Sequence, residues 1–123
     1  MVIKKNFDKF ARDAKGDDMM GIDNFNKELD FIKKQVIEKY NPRSIILFGS
    51  LAKGIFREDS DIDLCIIKDT INKRELLTDM YINIDSNIPF DLVLYTVDEW
   101  SDCINDKSSF AYSIINTGVK IYG

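Results

Sequence analysis

Four residues in the middle of the chain could act together on a phosphate. Gly49 and Ser50 follow the apolar run 45–48, and Asp61 and Asp63 open the next apolar run. A glycine lets a phosphate approach the backbone closely, and a serine hydroxyl can add a hydrogen bond to it. The two aspartates alternate with Ile62, so in a strand they point to one face. Two such carboxylates repel each other unless a cation lies with them, and Mg²⁺ takes oxygen ligands of this kind.

A third carboxylate, Asp91, interrupts the apolar run 90–94. A lone charge in an apolar strand is expected to be paired, coordinated or exposed at an edge, because burying it alone is costly. If this strand lies beside the one that carries Asp61 and Asp63, the three carboxylates converge. Such a set suits two Mg²⁺ ions that clamp the attacking and leaving oxygens of a displacement. Lys53 is a further candidate for phosphate contact. Taken singly, each of these motifs also fits an ordinary turn, strand edge or surface charge.

A layered α/β domain is predicted to position these residues, because stretches with helical and strand periodicity alternate along the chain. The first helix is predicted from an Asp23 cap to Asn41-Pro42, where proline disfavours the helix. Ser50 is expected to cap a short helix over 51–53, and Gly118 to cap the last helix. The remaining predictions are strands over 45–48, 61–67, 89–95 and 119–122 and helices over 71–85, 97–103 and 107–117. Residues 1–22 are predicted as an N-terminal extension, a short helix or mobile arm based on the spacing of Phe7, Phe10, Ala11 and Ala14, and residues 23–123 as the domain.

Composition excludes several classes of function. The chain has no histidine, so histidine-based catalytic triads are excluded. Cys65 and Cys103 lack CxxC spacing, and Cys65 in its apolar run is expected to be a buried free thiol. No apolar run is long enough to span a membrane, and no hydrophobic signal core opens the chain. A net charge of −4 argues against direct nucleic-acid binding. These features predict a soluble, cytoplasmic protein.

The joint pattern resembles one superfamily. Gly-Ser, then ten residues, then Asp-x-Asp, then an isolated Asp in the next predicted strand is similar to the DNA polymerase beta-like nucleotidyltransferases. Within that superfamily the stretches Gly-Ser-Leu-Ala-Lys-Gly and Asp-Ser-Asp-Ile-Asp-Leu most resemble the minimal nucleotidyltransferase (MNT) antitoxin family. The resemblance runs from about Asp23 to Gly123. Family members often carry arginine where this chain has Leu51 and Lys53, and lysine lacks the bidentate fork of arginine.

The resemblance implies a small mixed β-sheet with helices packed on one face. It also implies a Mg²⁺-dependent transfer of a nucleoside monophosphate, AMP from ATP, to an acceptor hydroxyl. In that reaction Asp61, Asp63 and Asp91 would be the catalytic metal ligands for two ions. Gly49, Ser50 and Lys53 would bind the nucleotide. The implied partner is a helical HEPN-type RNase toxin, and the acceptor is one of its tyrosines.

Two other classes of function stay open from the sequence. One is a binding antitoxin that neutralises its partner without catalysis. The other is a nucleotidyltransferase that acts on a small molecule, such as an aminoglycoside, or on RNA. After residue 95 fewer than thirty residues follow, too few for a separate acceptor-binding domain of usual size. A protein acceptor that brings its own docking surface is therefore the preferred hypothesis.

Overall fold

The structure, a computed structural model, describes residues 2–4, 18–57 and 59–123. The backbone of this part forms five strands and four helices in an order that mixes the two types. Their bounds are β1 Val2–Lys4, α1 Asp18–Tyr40, β2 Ser44–Phe48, β3 Ile62–Ile67, α2 Lys73–Asn83, β4 Phe90–Tyr95, α3 Val97–Cys103, α4 Phe110–Thr117 and β5 Val119–Tyr122. None of the helices in these ranges is both long and apolar enough to cross a membrane.

The five strands form one mixed sheet in the order β1-β4-β3-β2-β5. Its central pair, β3 and β4, is parallel, and α2 provides the crossover between the two strands that parallel pairing requires. The pairs β1–β4, β2–β3 and β2–β5 are antiparallel. The predicted α/β class with a mixed sheet is therefore confirmed.

The two faces of the sheet are covered unequally. The long helices α1 and α2 cover one face as expected, through residues such as Ile32, Val36 and Leu77. The opposite face carries a smaller apolar cluster, in which Ile114 of α4 packs against Ile46 and Cys65. The sequence analysis expected helices on one face only, and it did not anticipate that α3 and α4 would cover part of the other.

Helix α1 begins at Asp18, five residues before the predicted cap at Asp23. Glycine costs about 1 kcal/mol in a helix interior, so Gly21 makes a start before Asp23 unexpected from the sequence. In the structure, the Phe56 ring packs on Gly21, and an added Cβ would lie only 2.5 Å from its Cζ. This tertiary contact favours glycine at position 21, and α1 continues through it.

Helices α2, α3 and α4 each begin after a side chain that caps them. The Asn72 side chain accepts a hydrogen bond from the Glu75 amide at 3.0 Å, and Ser109 accepts one from Tyr112 at 3.0 Å. Thr96 caps α3 in the same way. These caps satisfy amides that have no partner inside the helix. Helices α2 and α4 therefore start two and three residues later than the predicted positions 71 and 107, and α2 ends at Asn83 rather than at 85.

Gly118 follows α4, but for a different reason than the one predicted. Its φ is −86°, so it does not adopt the left-handed conformation that usually favours glycine at a helix end. A Cβ at this position would lie 2.6 Å from the Ile114 carbonyl oxygen and 2.8 Å from that of Leu47. Glycine is needed here because the backbones of α4 and β2 approach closely.

The predicted N-terminal extension over 1–22 is part of the fold at both of its ends. Residues 2–4 form edge strand β1 beside β4, and residues 18–22 form the start of α1. A three-residue strand is too short to give a periodic signal. The predicted helical spacing of Phe7, Phe10, Ala11 and Ala14 lies outside the described residues. The domain division itself stays a prediction.

A buried glutamine joins α1 to the segment after α2. The Gln35 side-chain amide donates to the Asp85 carbonyl at 2.8 Å, and its oxygen accepts from the Asp85 amide at 2.8 Å. We expect Gln35→Ala to lower the free energy of unfolding by about 2 kcal/mol, because it removes both hydrogen bonds of the buried Gln35 side chain to the Asp85 backbone. Urea denaturation measures this, and Glu38→Ala, on the exposed face of the same helix, should stay within about 0.5 kcal/mol of the wild type. Equal effects of the two variants would contradict the prediction.

The two cysteines differ in exposure. Cys65 is fully buried, as predicted, and burial raises the pKa of its thiol, whereas Cys103 is partly exposed. Because the thiolate is the reactive form, we expect a maleimide to label the native protein once, at Cys103. Mass spectrometry should show a second label only in denaturant, and Cys103→Ser should remain unlabelled when native. Rapid native labelling of Cys65 would show that the core around it opens readily.

Candidate active site

Two of the predicted carboxylates stand side by side at the start of the central strands. Strands β3 and β4 run parallel in a register that pairs Asp63 with Asp91. Residues paired in this way share a face of the sheet, and alternation places both on the face that carries Cys65. Both are partly buried. On this face the apolar cluster that Cys65 and Ile67 form with α3 and α4 follows the carboxylate pair along the strands.

The glycine of the Gly-Ser motif lies directly against this pair. Gly49 ends β2 with a φ of +79°, a conformation that side chains rarely adopt. A Cβ built on Gly49 would clash with the Asp63 carboxylate and would lie 3.2 Å from its Cγ. Glycine is therefore required here twice, for its backbone conformation and for the space that Asp63 occupies. The motif and the carboxylates form one site.

The segment after Gly49 is a compact turn rather than the predicted short helix. The Ser50 carbonyl accepts from the amides of Lys53 at 3.1 Å and Ile55 at 2.9 Å, and Gly54, with a φ of +79°, closes the turn. These contacts fold the chain back after one turn and prevent a helix from continuing. Ser50 is partly buried and lies next to Gly49, while the Lys53 side chain is exposed. Their contacts with phosphate stay predictions.

Asp61 lies one residue before β3, at the same end of the sheet as Asp63. In residues 2–4, 18–57 and 59–123, no three histidine, cysteine, aspartate or glutamate side chains are grouped so that they could hold an ion by themselves. The structure thus brings Asp63 and Asp91 together, while the recruitment of Asp61 into the same ligand set stays a prediction. A carboxylate pair still fits Mg²⁺, which commonly binds one or two carboxylates and takes its other ligands from water and substrate phosphates.

A buried tyrosine on the other face supports the strand of Asp91. The Tyr81 hydroxyl accepts a hydrogen bond from the Leu92 amide at 2.6 Å, and its ring stacks on Phe90 with centroids 5.4 Å apart. Burial raises the pKa of Tyr81, and the negative charges of Asp91 and Asp63 raise it further, although the Leu92 hydrogen bond acts in the opposite direction. Tyr81 therefore stays neutral at physiological pH and fixes the backbone beside Asp91. The sequence analysis missed this residue because it sits on α2 with no motif around it.

An aromatic pair borders the site on the side of β2. Phe48 is the register partner of Asp63 across the antiparallel β2–β3 pair and so lies on the same face. The Phe110 ring of α4 meets the Phe48 ring edge to face, with centroids 5.6 Å apart and planes at 87°. The sequence analysis did not single out either residue. An aromatic residue directly before Gly-Ser was the available signal for Phe48.

Most of the chain matches one known protein family. The family model for polymerase beta nucleotidyltransferases matches residues 26–123, which include every site residue named above. The chain therefore belongs to this family and carries a nucleotidyltransferase-type domain, which confirms the superfamily resemblance seen in the sequence. A comparison with curated proteins gives no significant match.

Proposed function

We propose that this protein is a Mg²⁺-dependent nucleotidyltransferase that transfers AMP from ATP to a tyrosine of a cognate HEPN-type RNase toxin and acts as its antitoxin. The observation that supports this most is the pairing of Asp63 with Asp91 beside Gly49, within a nucleotidyltransferase domain. That arrangement offers adjacent carboxylates and a close backbone approach for a triphosphate. The MNT-like motifs supply the suggestion of the partner.

The site residues would have different roles in such a transfer. Asp63 and Asp91, joined by Asp61, would hold Mg²⁺, which neutralises the charge of the phosphates and orients them for in-line displacement. Gly49 and Ser50 would bind the outer phosphates of the triphosphate through the backbone and the serine hydroxyl, with Lys53 beside them.

Asp91 has a second role in this proposal. Its carboxylate would accept the proton of the acceptor hydroxyl as the hydroxyl oxygen bonds to the α-phosphorus. The bond from that phosphorus to the bridging oxygen breaks, and pyrophosphate leaves. Positioning and charge neutralisation, rather than covalent chemistry on the protein, would provide most of the rate.

The direct test uses the protein with its candidate partner. The product of the neighbouring gene is purified and incubated with this chain, Mg²⁺ and labelled ATP. The mass of that candidate partner is then measured by mass spectrometry. AMP on a partner tyrosine supports the proposal. A tight complex without an adduct favours a binding antitoxin instead. If no complex forms and the nucleotide is transferred to RNA or to a small molecule, the antitoxin role is rejected. The protein would then be a nucleotidyltransferase with a different acceptor.

A further inference from the structure

The aromatic pair Phe48 and Phe110, here called the aromatic shelf, borders the carboxylate pair. Phe48 is partly buried and is held by its place in β2, directly across from Asp63. Opposed residues of antiparallel strands lie about 5 Å apart at Cα. The Phe110 ring packs edge to face against Phe48 and is half exposed. A molecule whose phosphates lie at Asp63 and Gly49 therefore has a hydrophobic ring surface next to it.

Phe110 is not needed to bury α4. The buried residues of this helix are Ala111 and Ile114, whereas Phe110 is 50% exposed. Its ring is nevertheless oriented, because its edge-to-face contact with Phe48 fixes it against a strand of the sheet. This half-exposed ring is held against Phe48, the register partner of Asp63, and so offers a stacking surface near the carboxylate pair.

We propose that the aromatic shelf stacks on the nucleobase of the nucleoside triphosphate whose phosphates lie at Gly49 and the carboxylate pair. This inference rests on the proposed nucleotidyltransferase function and names the subsite for the base. A phenylalanine ring offers no hydrogen-bond donor or acceptor, so the shelf binds any base through its flat face and selects weakly among bases. The same surface contributes nothing to binding of the triphosphate chain itself.

The test compares ATP with inorganic tripolyphosphate, which has the phosphates but no base. Calorimetry with Mg²⁺ measures the affinity of each ligand for the wild type and for Phe110→Ala. We expect the variant to bind ATP about tenfold more weakly and tripolyphosphate with unchanged affinity. GTP, CTP and UTP should lose affinity to a similar extent as ATP, because stacking tolerates every base.

Three further variants separate stacking from structure. Phe110→Leu keeps apolar bulk against Phe48 without a planar ring, and it should lose ATP affinity as Phe110→Ala does. Phe110→Trp should retain it. Phe31→Ala removes another exposed phenylalanine, 45% exposed on α1, and should bind both ligands as the wild type does. Thermal unfolding of each variant checks the fold.

The outcomes distinguish this inference from the function on which it rests. Wild-type ATP affinity in both Phe110→Ala and Phe110→Leu would overturn the shelf, and so would an equal loss of ATP and tripolyphosphate affinity, which indicates a structural role. If the wild type binds neither ligand with Mg²⁺, the proposed nucleotidyltransferase function fails first. Selective loss of ATP affinity supports both.

Discussion

Asp63→Asn is expected to lower nucleotide transfer by about 10³-fold or more. The substitution keeps the shape of the side chain but removes one of the two adjacent charges that are proposed to hold Mg²⁺ for the triphosphate. Asp63 packs against Gly49 at the centre of the site, and no other described carboxylate is paired with Asp91 in the sheet register. Transfer of labelled nucleotide, measured at saturating ATP and Mg²⁺, gives the effect.

The fold should survive this substitution. Removing one of two adjacent like charges relieves repulsion, so the unfolding midpoint of Asp63→Asn should equal or exceed that of the wild type. Asp30→Asn is the matched control, because Asp30 is exposed on α1, where it pairs with Lys34 at 3.2 Å. It should transfer nucleotide at the wild-type rate. Full activity in Asp63→Asn would reject the assignment of this pair as the metal site.

Gly49→Ala is expected to lower both stability and transfer. It places a side chain at a φ of +79°, which costs about 1–3 kcal/mol, and it drives a methyl group into the Asp63 carboxylate. Displacing that carboxylate by about 1 Å should reduce transfer by about 10²-fold in addition. Urea denaturation and transfer assays measure the two effects separately.

Gly54→Ala provides a control that the chain itself supplies. Gly54 has the same φ of +79° in the same turn, but an added Cβ would meet no atom within 4 Å. It should therefore show the conformational cost without the displacement of Asp63, and transfer should change far less than in Gly49→Ala. If both variants lose activity equally, strain in the turn rather than contact with Asp63 explains the effect.

The sequence predicted the central elements well because their signals are local. Strands β2 and β3 are short apolar runs bounded by turn residues, and α3 has its predicted bounds, Val97–Cys103. The isolated charge of Asp91 showed that this residue needs a partner or an edge, but the adjacency of its strand to that of Asp63 entered only as a condition, which the register of β3 and β4 now meets.

The remainder depended on contacts between distant residues. The start of α1 is set by Phe56 packing on Gly21, thirty-five positions away, and the crowding at Gly118 comes from Leu47. Strand β1 exists through its pairing with β4, and Tyr81 acts through the backbone of Leu92. None of these contacts leaves a periodic pattern in the sequence, so no local rule could have predicted them.

The parallel register of β3 and β4 determines where the chain can be lengthened. Shifting β4 by one residue would turn Asp91 toward the apolar face and present Phe90 or Leu92 beside Asp63, because side chains alternate along a strand. A one-residue insertion or deletion that shifts Phe90–Tyr95 would therefore replace the Asp91 carboxylate beside Asp63 with an apolar side chain. In the connection over 68–72, Lys68 and Asp69 hydrogen-bond to the chain around the end of β4 and Asn72 caps α2, whereas Ile71 between them is fully exposed. Peptide tags or sensor domains inserted there would leave the alignment of Asp63 with Asp91 intact.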